Sequence, residues 1–436
     1  MKNKRKYYVI ILFLLFPYFV KAQTDTLEVT LSQAMAYATE FGYQSINARY
    51  DIDIARKKVN ETIAIGLPQI NGSGSIANNL KLQENQIQFG DTTITTVFGT
   101  KYNNSIGGRV DQLLFDGSYF VGLQASKVYV RLSENVERKT NIELKQAVAE
   151  AYFLTLVAKQ NIQDFKATLE TNKNTLKQIE AYFEKGFRED IEVDQIKLMV
   201  NESQRMYDDA ENQYKIALSI LKFAMGYDID KPLKLSESIN DILLTIPTTP
   251  TLMSDIKTHI DYQTIQTQID IKGLDIKNQR ALAMPRLSAF LTYDYAYFGQ
   301  NWSDLVKTEG SMLGVALSVP IFSSGQRSAQ LKQKKYELSK LSVEKQMVEQ
   351  SLKRDLIVAK ANLENAQKQF LNARESKTIS ERIYQKSLVK FKNGLLNSLE
   401  LSQNEGNMIE SVINYNNAAM NYFNLYIVYK KANSQL

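Results

Sequence analysis

The chain has 436 residues, one histidine, no cysteine and a formal net charge of +6. The absence of cysteine excludes disulfides, zinc–thiolate sites and a lipid attached through cysteine. With His259 as its single histidine, the chain also lacks the residues for a histidine-rich metal site or a histidine-dependent catalytic triad. Since no phosphate-binding glycine motif occurs either, we predict that the protein is not an enzyme and has no catalytic, metal-binding or cofactor-binding residues.

Residues 1–22 carry the three parts of a secretory signal peptide. The basic part consists of Lys2, Lys4, Arg5 and Lys6. The apolar run Val9 to Phe16 is shorter than the roughly 20 residues of a transmembrane helix, and Val20 and Ala22 suit cleavage before Gln23. Removal of this segment takes away five basic residues and no acid, which leaves 48 basic and 47 acidic residues. The surplus of positive charge that nucleic-acid binding requires is then gone, so we expect no nucleic-acid partner.

The rest of the chain contains an internal duplication, which three pairs of landmarks reveal in the same order. The pairs are "AIGLPQINGSGS" with "LAMPRLSAF", "LLFDGS" with "VPIFSSG", and "YFEKGFREDIE" with "VKFKNGLLNSLE". Their offsets are 217, 207 and 208 positions. A repeat on this scale indicates that one structural plan occurs twice. We therefore predict a first repeat at 23–226, a connector at 227–251 and a second repeat at 252–436.

Each repeat begins with a helical pattern, at Leu31 to Ile65 and at Leu252 to Leu282, and continues with two alternating segments. The alternating segments are Ile70 to Asn78, Tyr102 to Leu114, Leu287 to Tyr297 and Ser311 to Val319. Alternation of apolar and polar residues indicates β-strands, and lengths near ten residues suit strands that span a membrane. The segment Lys81 to Gly99 holds the extra length of the first repeat, and we predict that it is an external loop.

Long helices follow each strand pair, at about Gly117 to Tyr182 and Gly325 to Phe391. Their apolar residues are spaced by four and three positions, for example Leu144, Val148 and Ala151, as in helices that supercoil around neighbours. The returning helices, after Gly186 and Gly394, show the same spacing. The predicted strand–helix junctions are marked by Pro68, Phe115, Gly117, Pro285, Pro320, Phe322 and Gly325.

Four strands per chain are too few for a membrane barrel, because known bacterial barrels need at least about eight strands and lipid cannot satisfy an open sheet edge. We therefore expect several copies to pool their strands into one barrel and their helices into one tube. An aromatic girdle at the membrane interface is predicted from Tyr293, Tyr295, Tyr297, Phe298 and Trp302. A sheet that packs on its own helices in a soluble protein is the alternative, but the long helices leave little chain to cover it.

These motifs, in this order and twice over, resemble the outer-membrane efflux proteins of the TolC family. The resemblance covers nearly the whole mature chain and rests on "LPQINGSGS", "LFDG", "VPIFSSG" and the "FxxG" helix turns. It implies a mixed α and β membrane protein, in which a long coiled-coil α-helical barrel in the periplasm joins a transmembrane β-barrel in the outer-membrane lipid. Three copies of a chain with two internal repeats and four strands would give a twelve-stranded barrel and a twelve-helix tunnel.

The resemblance implies an outer-membrane exit duct of a tripartite efflux system. Such a homotrimer conducts small molecules passively, and a periplasmic adaptor (membrane fusion protein) and an inner-membrane pump load it. Export of whole polypeptides by type I secretion is one alternative. A periplasmic coiled-coil adaptor or scaffold is another, which the helices favour and the strand pairs do not.

The helix turns at Gly186 and Gly394 should lie at the periplasmic tip, opposite the strands. Acidic residues follow both turns, and the predicted gate or adaptor-docking set is Gly186, Glu189, Asp190, Glu192, Asp194, Gly394, Glu400 and Gln403. The carboxylates also suit the positive end of a starting helix. The resemblance assigns Glu400 to a constricting ring. The chain departs from the family pattern at Leu396, where an arginine can occur, and at Gln403, where a second acid can occur.

Overall fold

The computed structural model describes residues 26–90, 92–247 and 255–436. The predicted signal peptide at 1–22 lies outside the described residues, as do positions 248–251 of the predicted connector. The elements in chain order are β1 (Leu27–Val29), α1 (Leu31–Phe41), α2 (Tyr43–Ala64), β2 (Gln69–Asn78), β3 (Gln83–Phe89), β4 (Thr92–Phe98), β5 (Tyr102–Asp116), α3 (Gly117–Glu184), α4 (Asp190–Met225), β6 (Leu233–Leu235), α5 (Ile239–Leu244), α6 (Ile260–Ala281), β7 (Arg286–Gly299), β8 (Val306–Ser318), α7 (Gln326–Lys392) and α8 (Ser398–Ala432). None of the helices in the described ranges is both long and apolar enough to cross a lipid bilayer.

The main sheet contains the four predicted strands in the order β2-β5-β7-β8, and every neighbouring pair is antiparallel. One row across the sheet runs from Ile70 to Val110, Leu291 and Leu313. Within the described residues, β2 and β8 have a partner strand on one side only. The sheet therefore has two open edges.

The register gives this sheet an apolar face and a polar face, because directly opposed residues point to the same side. The apolar face carries Ile70, Ile76, Ile106, Val110, Leu287, Leu291, Tyr293, Tyr295, Tyr297, Leu313, Val315 and Leu317. The polar face carries Gln69, Asn71, Ser73, Ser75, Asn103, Ser105, Arg109, Asp111, Ser288, Thr292, Asp294, Thr308 and Ser318. The predicted strand alternation is thus confirmed across all four strands.

The predicted aromatic girdle is only partly on one face. Tyr293, Tyr295 and Tyr297 lie on the apolar face, whereas Phe298 is paired with Asn103 and Val306 on the polar face. Trp302 follows β7 and packs edge-on against Tyr102, with 5.5 Å between the ring centroids. Phe298 therefore does not join the tyrosine row, because a strand places adjacent side chains on opposite faces.

The two long helical hairpins have matching dimensions. Helices α3 and α4 contain 68 and 36 residues, and α7 and α8 contain 67 and 35. At about 1.5 Å per residue, each longer helix extends about 100 Å. The predicted apolar spacing is confirmed, since Val148, Leu169 and Ile179 of α3 are buried, as are Leu363 and Phe370 of α7.

Next to the sheet, the helices are arranged side by side in the order α2, α3, α6 and α7. This order matches the strand order β2, β5, β7 and β8, because each strand is joined in sequence to the helix beside it. Helices α2 and α7 are therefore at the two sides of the helical layer, just as β2 and β8 are at the two edges of the sheet.

Two buried clusters hold the helices together. One lies around the middle of α3 and α7 and includes Tyr152, Phe153 and Phe423. The centroids of the two phenylalanine rings are stacked 4.3 Å apart. The other lies towards the helix turns and includes Ile179, Ile196 and Phe391. The first cluster is covered by the short parallel pair β1–β6, which was not predicted from the sequence.

Several boundaries differ from the predictions. The helix predicted over Leu31 to Ile65 is broken at Gly42, whose backbone is extended, with a φ of −63° and a ψ of 136°. The loop predicted at Lys81 to Gly99 forms the hairpin β3–β4. Strand β8 begins at Val306 rather than near Ser311, because polar residues on both faces hide its alternation. The predicted connector contains β6 and α5, and the repeat boundaries themselves stay predictions.

Candidate functional site at the two helix turns

The two turns between the long helices have the same backbone. Gly186 and Gly394 each have a φ of 75°, in the left-handed region. Their amides donate to Phe183 O and Phe391 O, and the following amides donate to Tyr182 O and Lys390 O. Glycine adopts this conformation without the steric cost that a side chain would impose, so the landmarks that indicated the duplication are the residues that reverse the chain.

The first turn is tied to the second by Arg188. Its Nη2 donates to the carbonyl oxygen of Phe391 at 2.7 Å, and its Nη1 lies 3.0 Å from Glu192 Oε1. The guanidinium also lies 5.0 Å from the centroid of the Phe391 ring. The side chains of Arg188 and Glu192 are only 12% and 17% exposed, so this charged pair is well shielded from water.

Arg188 is not among the site residues predicted from the sequence. The arginine position of the family pattern is Leu396 on the second turn, and Leu396 packs partly buried against the apolar cluster near the turns. The arginine that links the two turns therefore lies on the first turn, not on the second. The available signal was the opposite charge of Arg188 and Glu192, which are four positions apart where α4 begins.

The predicted acids do not form one cluster. Gly186, Glu189, Glu192 and Gly394 border an open cleft of about 670 Å³ between the turns. Asp190, Asp194, Glu400 and Gln403 lie outside its lining, and Asp194 forms a surface pair with Lys197 at 3.5 Å. The backbone amide of Glu400 is capped by Asn397 Oδ1 at 2.8 Å, while the side chains of Glu400 and Gln403 are exposed on α8.

Exposed apolar side chains surround the cleft. We call Phe187, Ile191, Leu395 and Leu399 the apolar tip surface. Phe187 and Leu395 are 74% and 75% exposed, and the members of each repeat are 208 positions apart in the sequence. Large apolar side chains that stay exposed together on a folded surface mark an interaction site. The sequence signal was an apolar residue directly after each turn glycine.

A buried polar group lies further along the helices. Glu405 on α8 is 5% exposed, its Oε1 accepts from Asn172 Nδ2 at 2.8 Å, and its Oε2 accepts from the Tyr384 hydroxyl at 2.9 Å. Ser203 Oγ lies 3.3 Å from the same amide, so side chains of all four long helices meet here. Burial raises the pKa of Glu405, and the two hydrogen bonds oppose that rise.

The strand–helix junctions are at the other end of the long helices. At the first, Asp116 caps α3 by accepting from Ser118 N at 2.8 Å, and a side chain on Gly117 would come within 2.7 Å of Met284 Sδ. Phe115 lies at the end of β5, beside a register shift. Pro68 and Pro285 come directly before β2 and β7.

The second junction is more open than the first. Pro320 and Phe322 lie in an exposed stretch between β8 and α7, and Gly325 precedes α7 with a φ of 83°. Arg327 Nη1 donates to the carbonyl oxygen of Pro320 at 3.0 Å. The apolar Ile321 and Phe322 are almost fully exposed in the single chain.

The described residues contain no group of three or more His, Asp or Glu side chains that could hold a metal ion. His259 is buried and caps α6, where its Nδ1 accepts from Asp261 N at 3.2 Å. His259 therefore has a structural role at the start of α6.

Residues 46–227 and 263–423 match the sequence model of the outer membrane efflux protein family. Comparison with individually curated protein sequences gives no significant match.

Solved structures with the same fold include CusC, which forms a transmembrane channel. It is 19% identical to this chain, with 93% of each chain covered and a TM-score of 0.71. The CmeC outer membrane channel of Campylobacter jejuni is 17% identical, with 93% of this chain and 85% of CmeC covered and a TM-score of 0.67. The MtrE outer membrane channel of Neisseria gonorrhoeae is 18% identical, with 92% and 88% covered and a TM-score of 0.65.

Proposed function

Because the chain belongs to the outer membrane efflux protein family, we propose that it is the exit duct of a tripartite efflux system. In this system an inner-membrane pump and a periplasmic adaptor supply small molecules, and the duct conducts them passively to the exterior. The observation that carries the proposal is the four-stranded sheet with one apolar face, one polar face and two open edges.

The open edges require further copies of the chain if the sheet lies in lipid. Lipid offers no hydrogen bonds to unpaired strand edges, so a membrane sheet must close on itself. Three copies of four strands give twelve strands, an even number within the range of bacterial barrels. The apolar face would then contact lipid and the polar face would line the lumen. The number of copies, three, is proposed from the family resemblance.

The surfaces of the helices also support assembly of several copies into a closed ring. An apolar groove of about 1260 Å³ lies between α2 and α3, and Tyr50, Ile54 and Tyr129 line it. On the opposite side of the helical layer, Val343 and Met347 of α7 are exposed. Side-by-side copies would place the α7 of one chain in this groove of the next, in step with the pairing of β8 and β2.

The apolar tip surface is the proposed docking site of the adaptor. It lies at the far end of α3 and α7 from the sheet, so it would face the inner membrane when the sheet is in the outer membrane. A partner must cover exposed apolar side chains of this size to remove them from water. The link from Arg188 to Phe391 beside this surface is in position to hold the two turns together until the partner binds.

The proposal is tested with the purified mature chain in detergent and in planar lipid bilayers. Native mass spectrometry should find three copies, and the same preparation should give stable ion-conducting channels. A monomer without conductance would contradict the proposal and favour the periplasmic scaffold. Export of a polypeptide, rather than a small molecule, by cells that express the duct with its partners would favour type I secretion.

A further inference from the structure

We propose that Asp294 sets the charge preference of the duct, so that the barrel lumen passes cations in preference to anions. The inference rests on the proposed function, because the polar face of the sheet becomes a lumen only when copies of the chain close a barrel. It concerns a residue on the strands, far from the helix turns.

Asp294 lies in a row of small residues across the polar face. The register places Ser73, Gly107, Asp294 and Gly310 directly side by side on β2, β5, β7 and β8. The next row on the polar face, further from the helices, contains Ser75, Ser105, Ala296 and Thr308. In this part of the polar face the carboxylate is therefore the longest side chain and the only charged one.

The neighbouring glycine makes room for the Asp294 side chain. A methyl group on Gly107 would overlap Asp294 Oδ1, so the carboxylate lies across the backbone of the adjacent strand. The ring of Phe290, two rows closer to the helices, lies across Gly314 in the same way. The bulky side chains are thus folded against the wall, which leaves the space in front of the sheet open.

Other charges of the polar face are paired. Arg109 Nε lies 2.9 Å from both carboxylate oxygens of Asp111, and Arg286 Nε lies 3.7 Å from Asp116 Oδ2. Lys307 and Glu309 belong to the apolar face, opposite Tyr297 and Tyr295. Among the strand residues that the structure describes, Asp294 is the charged side chain of the polar face without an ion pair.

Closure of the barrel by three copies would place three uncompensated carboxylates at one level of the lumen. Rings of acidic side chains favour cations in channels, because the negative field of such a ring attracts cations and repels anions. The paired arginines do not cancel this field, because each is already neutralised by its own carboxylate. The lumen should therefore attract cations and repel anions at the level of Asp294.

The test is the reversal potential of the full mature chain in planar bilayers under a potassium chloride gradient. We expect a cation-selective wild type, and Asp294→Asn should lower the ratio of potassium to chloride permeability by about threefold. Asp294→Lys should make the channel anion-selective. Glu309→Gln is the matched control, because it removes the same charge from the neighbouring strand on the apolar face, and it should leave the ratio unchanged.

The outcomes separate this inference from the proposed function. A wild type without conductance contradicts the duct itself. Conducting channels whose permeability ratio is the same in wild type and Asp294→Asn overturn the role of Asp294 and leave the duct standing.

If the Asp294 variants do not assemble, Ser73→Cys places a cysteine in the same row of a chain that otherwise has none. Modification of this cysteine with a positively charged methanethiosulfonate should lower the ratio of potassium to chloride permeability, whereas a neutral reagent should leave it unchanged. Equal ratios after both reagents would overturn the inference.

Discussion

At the scale of the residue, the helix turns show which contacts a sequence can predict. Gly186 and Gly394 were found because a glycine that reverses two helices leaves a local signal in each repeat. The partner of Arg188 could not be found in this way, because Phe391 lies 203 positions away and the bond uses a main-chain oxygen that every residue possesses. The link depends on how the two hairpins pack, and local spacing does not contain that information.

We expect Arg188→Ala to loosen the two turns. The variant leaves the Phe391 carbonyl and the Glu192 carboxylate without their shielded partner, and a charge-assisted hydrogen bond of this kind is worth about 2 kcal/mol. Opening of the turns should then be about thirtyfold more frequent. Hydrogen exchange at the amides of Phe187, Gly394 and Leu395 measures this change.

Arg205→Ala is the control for the arginine variant. Arg205 also pairs with two acids on α4, but its side chain is 59% exposed, and exposed pairs of this kind contribute little. Equal exchange rates at the turns in Arg188→Ala and the wild type would show that the link does not hold them together.

His259 should make the protein less stable as the pH falls. Burial lowers the pKa of His259, and the nearby Lys139 and Lys431 act in the same direction against Asp261. Because the folded protein favours the neutral imidazole, His259 stabilises the fold fully above the pKa that it has in the unfolded chain. This stabilisation is lost as the pH falls through the pKa of the folded state. Protonation of Nδ1 would also break its hydrogen bond with the Asp261 amide, which is a helix cap worth about 1 kcal/mol.

The measurement is the free energy of unfolding between about pH 8 and about pH 5. His259→Asn keeps a capping side chain and removes the titration, so the wild type should lose stability relative to this variant as the medium becomes acidic. Curves that remain parallel over the whole range would contradict a role of histidine protonation.

At the scale of the element, the long helices and the strands were predicted because their apolar residues repeat with a regular period. The spacing of four and three along α3 and α7 and the alternation along β7 are repeated many times, so single exceptions do not hide them. The break at Gly42 was not predicted, because the apolar spacing on either side of this residue does not mark the change to an extended backbone. The pair β1–β6 was not predicted either, since three residues per strand carry no usable period.

The role of Glu405 was not predicted either, because it interrupts an apolar spacing on α8 and its hydrogen-bond donors, Asn172 and Tyr384, lie on other helices. Since burial raises its pKa, the folded state binds the proton more tightly than the unfolded state. Its contribution to stability is therefore present at low pH and is lost as the pH rises through the folded pKa. We expect Glu405→Gln to be the more stable protein at neutral pH and above, with little difference in acid.

The unfolding free energy of both proteins between about pH 4 and about pH 8 tests this expectation. Glu410→Gln, on an exposed position of the same helix, is the control and should follow the wild type. A difference between wild type and Glu405→Gln that does not change with pH would mean that the carboxyl group keeps one protonation state throughout.

At the scale of the whole molecule, the hairpin β3–β4 decides which end of the protein faces outward. It extends the first strand pair at the end of the sheet away from the helices, between Asn78 of β2 and Tyr102 of β5. Loops at the external end of bacterial barrels are longer than the turns at the periplasmic end. If the helices occupy the periplasm, this hairpin is outside the cell.

A protease site inserted after Gly90, at the turn of the hairpin, should therefore be cut when protease is added to intact cells. A second site after Asp230, in the exposed turn between α4 and β6, should be cut only after the outer membrane is broken, because that turn lies among the periplasmic helices. Both insertions are in exposed turns, where added residues are tolerated. Cleavage of the Asp230 site in intact cells, with protection of the Gly90 site, would reverse the orientation and remove the apolar tip surface from the reach of an inner-membrane partner.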